Sequence, residues 1–156
     1  MSTLKEQLRA DLTAAMKARD ELVKSTLRMT LTAVGTAEVA GTEARQLSDD
    51  EVLKVIAKEA KKRAESAEAF AAAGREELAA QERAEGEVLA RYLPSQLSDD
   101  ELAAIARTAV DETATELGEQ PGPRQMGQVM MRATAAAAGR ADGGRVAAAV
   151  KALLLG

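Results

Sequence analysis

Hydrophobic residues recur three and four positions apart along nearly the whole chain, which is the period of an amphipathic α-helix. Two helices are predicted at the start of the chain, with one apolar stripe at Leu4, Leu8, Leu12, Ala15 and Met16 and another at Val23, Leu27, Leu31 and Val34. Almost no segment alternates between apolar and polar side chains as a half-buried strand would. The pattern therefore predicts an all-α protein of about seven helices.

Two more helices are predicted after a connection over residues 41–46. Ser48 and Glu51 form an S-x-x-E capping box, which opens a long third helix that is expected to stop at Gly74. A fourth helix then carries the apolar positions Leu78, Val88, Leu89 and Tyr92.

Residues 91–101, Arg-Tyr-Leu-Pro-Ser-Gln-Leu-Ser-Asp-Asp-Glu, divide the chain. Pro94 biases the preceding residue away from helical geometry, and Ser98 with Glu101 forms a second capping box. This junction predicts an N-terminal four-helix part over 1–93 and a small three-helix part over 94–156. Tyr92 is expected to pack between the two parts, with its hydroxyl bonded to backbone.

Beyond the junction, a fifth helix is expected to end at Gly118, followed by a loop over 119–123. One short helix is predicted from about Arg124 to Gly139, and a second, capped by Asp142, is predicted through Val146, Val150 and Leu153.

The glycines of this part are each given a structural role. We expect Gly127 to permit a close helix crossing, and Gly139 and Gly143 to supply a helix stop and a tight turn.

Composition narrows the possible chemistry. The 156 residues include no Cys and no His, which excludes thiolate or imidazole zinc ligands, Cys or Ser-His nucleophiles and disulfides. No phosphate-binding glycine loop, nucleophile elbow or paired metal-ligand motif is present. The carboxylates of the fourth helix alternate with arginines, as on a solvated helix surface, so we expect no catalysis, metal or cofactor.

The start of the chain is charged and amphipathic, and no apolar run approaches the roughly 20 residues that cross a bilayer. A cytoplasmic protein without a membrane partner is the resulting expectation.

Charge is unevenly distributed, since the net charge is −2 for residues 1–93, −6 for 94–123 and +4 for 124–156. A local positive field attracts phosphates, so the tail offers candidate RNA-binding residues at Arg124, Arg132, Arg140, Arg145 and Lys151. The alternative interpretation is that these side chains neutralise the acidic fifth helix. No aromatic side chains stand beside them to stack on bases.

A secondary basic cluster lies on the third helix, at Lys54, Lys58, Lys61, Lys62 and Arg63. The first three lie within about 60° of one another around the helix. Glu51 and Glu65 share that stripe and can pair with lysines three or four positions away, which favours a solvated helix face.

Several motifs, taken in order, resemble the signatures of the YqeY family. In the second half these are Arg91-Tyr-Leu-Pro-Ser-Gln-Leu-Ser98, Met126-Gly-Gln-Val-Met130 and Gly139-Arg-Ala-Asp-Gly143. In the first half they are Thr26-Leu-Arg-Met29, Leu47-Ser-Asp-Asp-Glu51, Lys61-Lys-Arg63, Glu65-Ser66, Phe70 and Gly74-Arg-Glu-Glu-Leu78. The resemblance extends over essentially the entire chain.

The resemblance implies a C-terminal part similar to the tail domain of GatB, the B subunit of the tRNA-dependent Asp/Glu amidotransferase, where the tail contacts tRNA. The resemblance also implies the family's description as a carbon–nitrogen ligase with glutamine as amido-N-donor. The kinase-like body and the amidase subunit of that enzyme have no counterpart in this sequence. Ala138 and Gly144 also depart from the family pattern, in which lysines are usual at those positions.

The resulting prediction is a non-catalytic accessory protein that binds tRNA through the basic C-terminal part. The alternative is a protein-interaction adaptor that docks on an amidotransferase or an aminoacyl-tRNA synthetase through the front helices. A contiguous arginine face over 124–151 would favour RNA, whereas an exposed apolar stripe on the front helices would favour the adaptor.

Overall fold

The computed structural model describes residues 2–155. Within that range it has no strand and seven α-helices: α1 (Thr3–Ala18), α2 (Glu21–Glu38), α3 (Asp49–Ala72), α4 (Glu76–Ala90), α5 (Asp99–Leu117), α6 (Met126–Ala137) and α7 (Gly143–Leu155). A single 3-10 turn, Pro123–Gln125, precedes α6. The predicted all-α class is confirmed.

Helix starts and stops follow the local signals. Both predicted capping boxes form. The hydroxyl oxygens of Ser48 and Ser98 each accept a hydrogen bond from the backbone N–H of the glutamate three residues later, and the carboxylate of that glutamate accepts one from the backbone N–H of the serine. Gly74 and Gly118 follow α3 and α5 with φ of +75° and +78°, a left-handed conformation that costs little without a Cβ.

The described chain divides into two compact units at the Leu93–Pro94 boundary. The first unit contains α1–α4, and its core is built from aliphatic side chains of all four helices and of the segment before α3: Leu8, Leu27, Val34, Leu47, Val52, Ile56, Val88 and Leu89. The second unit contains α5–α7, and its core is richer in alanine, which allows close helix packing: Leu97, Leu102, Ala106, Ala109, Val129, Ala133, Ala137, Val146 and Val150.

Asp49 ties the start of α1 to the start of α3. Its carboxylate accepts hydrogen bonds from the Ser2 hydroxyl at 2.5 Å, the Thr3 hydroxyl at 2.6 Å and the Leu4 N–H at 3.1 Å. These donors favour the ionised form and lower the pKa of Asp49 to about 2. The two helix N-termini are thereby held together in the first unit.

Two expectations about structural glycines are wrong. A Cβ placed on Gly127 would meet no atom within 4 Å, so no close helix crossing occurs there. Gly143 is the first residue of α7 and does not adopt a positive φ. The turn before α7 is made instead by Ala138 and Gly139, with φ of +49° and +78°, while Asp142 accepts the Arg145 N–H at 3.0 Å.

The predicted environment of Tyr92 is also incorrect in one respect. Its hydroxyl donates a hydrogen bond to the carboxylate of Asp11 on α1, not to backbone. Burial, together with the bond to the anionic Asp11, raises the pKa of Tyr92. The side chain packs against the core of the first unit, and Pro94 lies just beyond it in the non-helical segment 91–98.

Candidate functional site

A groove of about 610 Å³ lies between α2 and α3 in the first unit. We call it the α2–α3 groove, and its lining residues are Met29, Thr32, Ala33, Thr36, Ala37 and Ala40 from the α2 side and Val55, Lys58, Glu59, Lys62 and Arg63 from α3. Its volume lies within the range of roughly 300–1,000 Å³ that is typical of ligand sites in proteins.

The groove exists because of the side chains that α2 directs toward it. The buried stripe of α2, which includes Leu27 and Val34, packs into the core. The neighbouring stripe consists mainly of alanine and threonine, whose short side chains leave the space between the helices unfilled. Sequence reasoning missed this stripe because alanine and threonine are unremarkable on an amphipathic helix.

The two walls of the groove differ in charge. The α2 side contributes no ionisable side chain, whereas α3 contributes three basic residues and one acidic residue. Lys58 and Lys62 are exposed one helical turn apart, and Lys62 lies 3.5 Å from a carboxylate oxygen of Glu59. The groove therefore combines a neutral wall of small side chains with a basic rim.

The secondary basic cluster predicted on α3 is not a single surface. Lys54, Lys58, Lys61 and Lys62 are exposed, but the side chain of Arg63 is only 17% exposed. Arg63 is nine residues from Lys54, which places it on about the opposite side of the helix. Its inclusion in a solvated cluster is wrong.

Arg63 instead lies at the centre of three carboxylates, and we call the four residues the Arg63 cluster. Nitrogen–oxygen distances from its guanidinium are 3.8 Å to Glu59, 3.5 Å to Glu82 and 3.4 Å to Glu85. The side chains of the three glutamates are between 10% and 18% exposed. The guanidinium also approaches the sulfur of Met29 at 3.5 Å.

The expectation that the α4 carboxylates are solvated is consequently wrong for Glu82 and Glu85. Both lie on the face of α4 that also carries the buried Ala79 and Leu89, at helical spacing of three and four residues. That spacing is the feature of the sequence that indicated burial of these two glutamates. The carboxylates tolerate this position because the guanidinium of Arg63 compensates part of their charge.

Two of the five RNA-binding candidates of the second unit, Arg132 and Arg145, contact opposite ends of α5. Arg132 forms ion pairs with Glu112, at 3.4 Å, and with Glu116 near the end of α5. Arg145 donates to the carbonyl oxygen of Leu97 and to Asp99 at the start of α5, each at 2.9 Å. Along α5, Asp99 is about 20 Å from Glu112 and about 26 Å from Glu116, at 1.5 Å per residue.

The other three candidates have different surroundings. The Arg140 guanidinium donates to the carbonyl oxygen of Ser95 at 2.9 Å, near the contacts of Arg145. Arg124 lies exposed in the 3-10 turn, and Lys151 lies exposed on α7. The alternative interpretation, neutralisation of α5, therefore describes the contacts of Arg132 and Arg145.

Residues 2–155 contain no set of three or more acidic side chains placed to hold a metal ion. None of the helices in this range combines the length and the apolar character that crossing a bilayer requires. The cytoplasmic location expected from the sequence remains a prediction.

Comparison with known proteins identifies relatives of this chain. It is 28% identical over 124 residues to "Altered inheritance of mitochondria protein 41, mitochondrial" of Meyerozyma guilliermondii, a match that includes 78% of this chain and 64% of that protein. The chain thus spans less than two thirds of this relative. The family model described as Yqey-like protein matches residues 5–154. Because that match extends over almost the whole sequence, the protein belongs to the YqeY family.

Proposed function

We propose that this chain is a non-catalytic accessory protein that docks on another protein through the α2–α3 groove. The observation that carries the proposal is the open groove itself, with its wall of small side chains and its basic rim at Lys58 and Lys62. Helix-lined grooves of this kind are recurrent sites for the apolar face of a partner helix. In keeping with the family resemblance, an amidotransferase subunit or an aminoacyl-tRNA synthetase is the partner class that we propose.

The absence of catalysis is part of this proposal. The sequence offers no His or Cys as a nucleophile or base. The most buried glutamates, Glu59 and Glu85, both form ion pairs with the guanidinium of Arg63. The pair with Glu85 joins α3 to α4, which favours a structural role for the cluster.

Photocrosslinking tests the docking surface. We expect p-benzoylphenylalanine at Thr32, in the groove, to form adducts with one protein partner in the native cell, because that position faces the proposed interface. Thr115 on α5 is a matched control, since both threonines are exposed and each hydroxyl donates to the carbonyl oxygen four residues earlier. Mass spectrometry identifies the adducts.

A blocking variant makes this experiment decisive. Ala37→Trp places a large ring in the groove and should abolish the Thr32 adduct, without changing any background adduct at Thr115. Adducts that form equally at both threonines, that survive the tryptophan, or that contain only RNA would contradict docking through the groove.

Binding of tRNA through the second unit is the second candidate function. The observation in its favour is that Arg140 and Arg145 both contact the segment 95–99 and belong to a region of net charge +4. Their present partners include backbone oxygens and Asp99, whose side chain is 99% exposed. Exposed ion pairs contribute only about 0–1 kcal/mol, so phosphates can replace such a partner.

A salt titration with labelled tRNA measures this second function. If three to five phosphates are contacted, the slope of log affinity against log salt is roughly −2 to −5. Arg140→Ala with Arg145→Ala should weaken binding and flatten the slope, whereas Lys58→Ala with Lys61→Ala should do much less. Equal effects of the two double variants, or no binding by the unaltered chain near physiological salt, would rule out this RNA site.

A further inference from the structure

We propose that the occupant of the α2–α3 groove is an amphipathic helix of a partner protein, with acidic side chains along one flank and aliphatic side chains on its apolar face. This inference rests on the proposed docking function and adds the chemistry of the partner. It follows from the dimensions of the groove, the size of its lining side chains and the distribution of its charges.

The dimensions and walls of the groove suit a helix. Its helical lining extends from Met29 to Ala37 on α2 and from Val55 to Arg63 on α3, which corresponds to about 12 Å or two helical turns on each wall. Both helices have backbone groups that are bonded internally, so neither presents the free edge that an added strand requires. A segment of about two helical turns matches this length.

The lining side chains allow a helix to approach closely. Ala33, Ala37 and Ala40 project no more than a methyl group, and Thr32 and Thr36 are little larger. Helices pack at interaxial distances of about 8–10 Å when small side chains of one receive larger side chains of the other. The space left by α2 is therefore suited to leucine or methionine anchors at helical spacing.

Charge determines which flank of the partner is acidic. Lys58 and Lys62 stand on the α3 rim, one turn apart, while the α2 wall is uncharged. Among the described residues, Lys58 forms no ion pair and Lys62 forms a 3.5 Å contact with Glu59. Carboxylates spaced three or four residues apart on a docked helix would align with these two lysines.

The test uses two synthetic peptides with the same leucine and alanine face. One carries glutamates and the other lysines on one flank, and binding to the full chain is measured by fluorescence anisotropy at low salt. We expect the glutamate peptide to bind about tenfold more tightly, from two favourable pairs in place of two repulsive ones. Lys58→Glu with Lys62→Glu should reverse this preference.

A control separates this effect from net charge. Lys17→Glu with Lys151→Glu changes two exposed lysines outside the groove by the same total charge and should leave the preference intact. Circular dichroism of each variant establishes folding, and the reversed preference is a gain of binding that an unfolded variant would not produce. Equal affinity for both peptides, or a preference that the groove variant does not reverse, would overturn the inference.

Other outcomes separate this inference from the proposed function. A Thr32 adduct without binding of either peptide would retain protein docking and eliminate the acidic helix, whereas loss of both would eliminate docking as well. A dimer in sedimentation that Lys58→Glu with Lys62→Glu dissociates would identify a second copy as occupant and overturn the inference. Competition between RNA and the glutamate peptide that the same substitutions abolish would overturn it in favour of a nucleic acid.

Discussion

Replacing Arg63 by Met should lower the free energy of unfolding of the first unit by about 3–5 kcal/mol. The guanidinium is the cation that Glu59, Glu82 and Glu85 share, and all four side chains are largely withdrawn from solvent. Methionine preserves much of the side-chain volume but leaves three carboxylates close together without their cation. Lys62 is too exposed to substitute for it.

The fluorescence of Tyr92 provides the measurement. It is the only Tyr, and the chain has no Trp, so tyrosine emission during urea denaturation reports on the first unit alone. Arg83→Met is the matched control, because Arg83 is exposed and lies 3.9 Å from an exposed Glu76. We expect that control to change the free energy of unfolding by less than about 1 kcal/mol.

A further pair of substitutions tests whether charge compensation is the reason why Arg63 stabilises the first unit. Glu82→Gln with Glu85→Gln should restore much of the stability that Arg63→Met removes, because both negative charges next to the vacated position are eliminated. If the two glutamines add a further loss in the Arg63→Met background, charge compensation is not the reason why Arg63 is needed.

The helical architecture could be predicted because its signals are local. Each capping box, at Ser48 and at Ser98, depends on two side chains three residues apart, and Gly74 and Gly118 act on the backbone at their own positions. None of these features requires knowledge of which helix packs on which. Local signals therefore determined the helix boundaries to within a few residues.

The Arg63 cluster could not be predicted from the same kind of signal. It joins α3 to α4, and nothing next to Glu82 or Glu85 distinguishes a glutamate that faces an arginine on another helix from one that faces water. The helical spacing with Ala79 and Leu89 suggested the buried face, but the typical exposure of glutamate favoured a solvated surface.

The placement of the basic residues of 124–156 in space could not be predicted either. Composition correctly identified a local excess of positive charge, but charge along the sequence does not reveal how it is placed in space. Arg132 and Arg145 bond to opposite ends of α5, and these contacts depend on how α6 and α7 pack against that helix. The groove was missed for a related reason, since it is formed by side chains too small to mark a site in sequence.

Ile56→Ala should lower the free energy of unfolding of the first unit by about 2–5 kcal/mol. Ile56 is fully buried in the same core as Leu27 and Leu89, so truncation removes buried apolar surface and leaves a cavity. The core has few aromatic side chains to move into the space, since aromatics make up 1% of the chain. Leu78→Ala is the control, because Leu78 is 38% exposed on α4 and should lose clearly less stability. Urea denaturation followed by Tyr92 emission measures both variants, and similar losses would show that Ile56 is not a principal core residue of this unit.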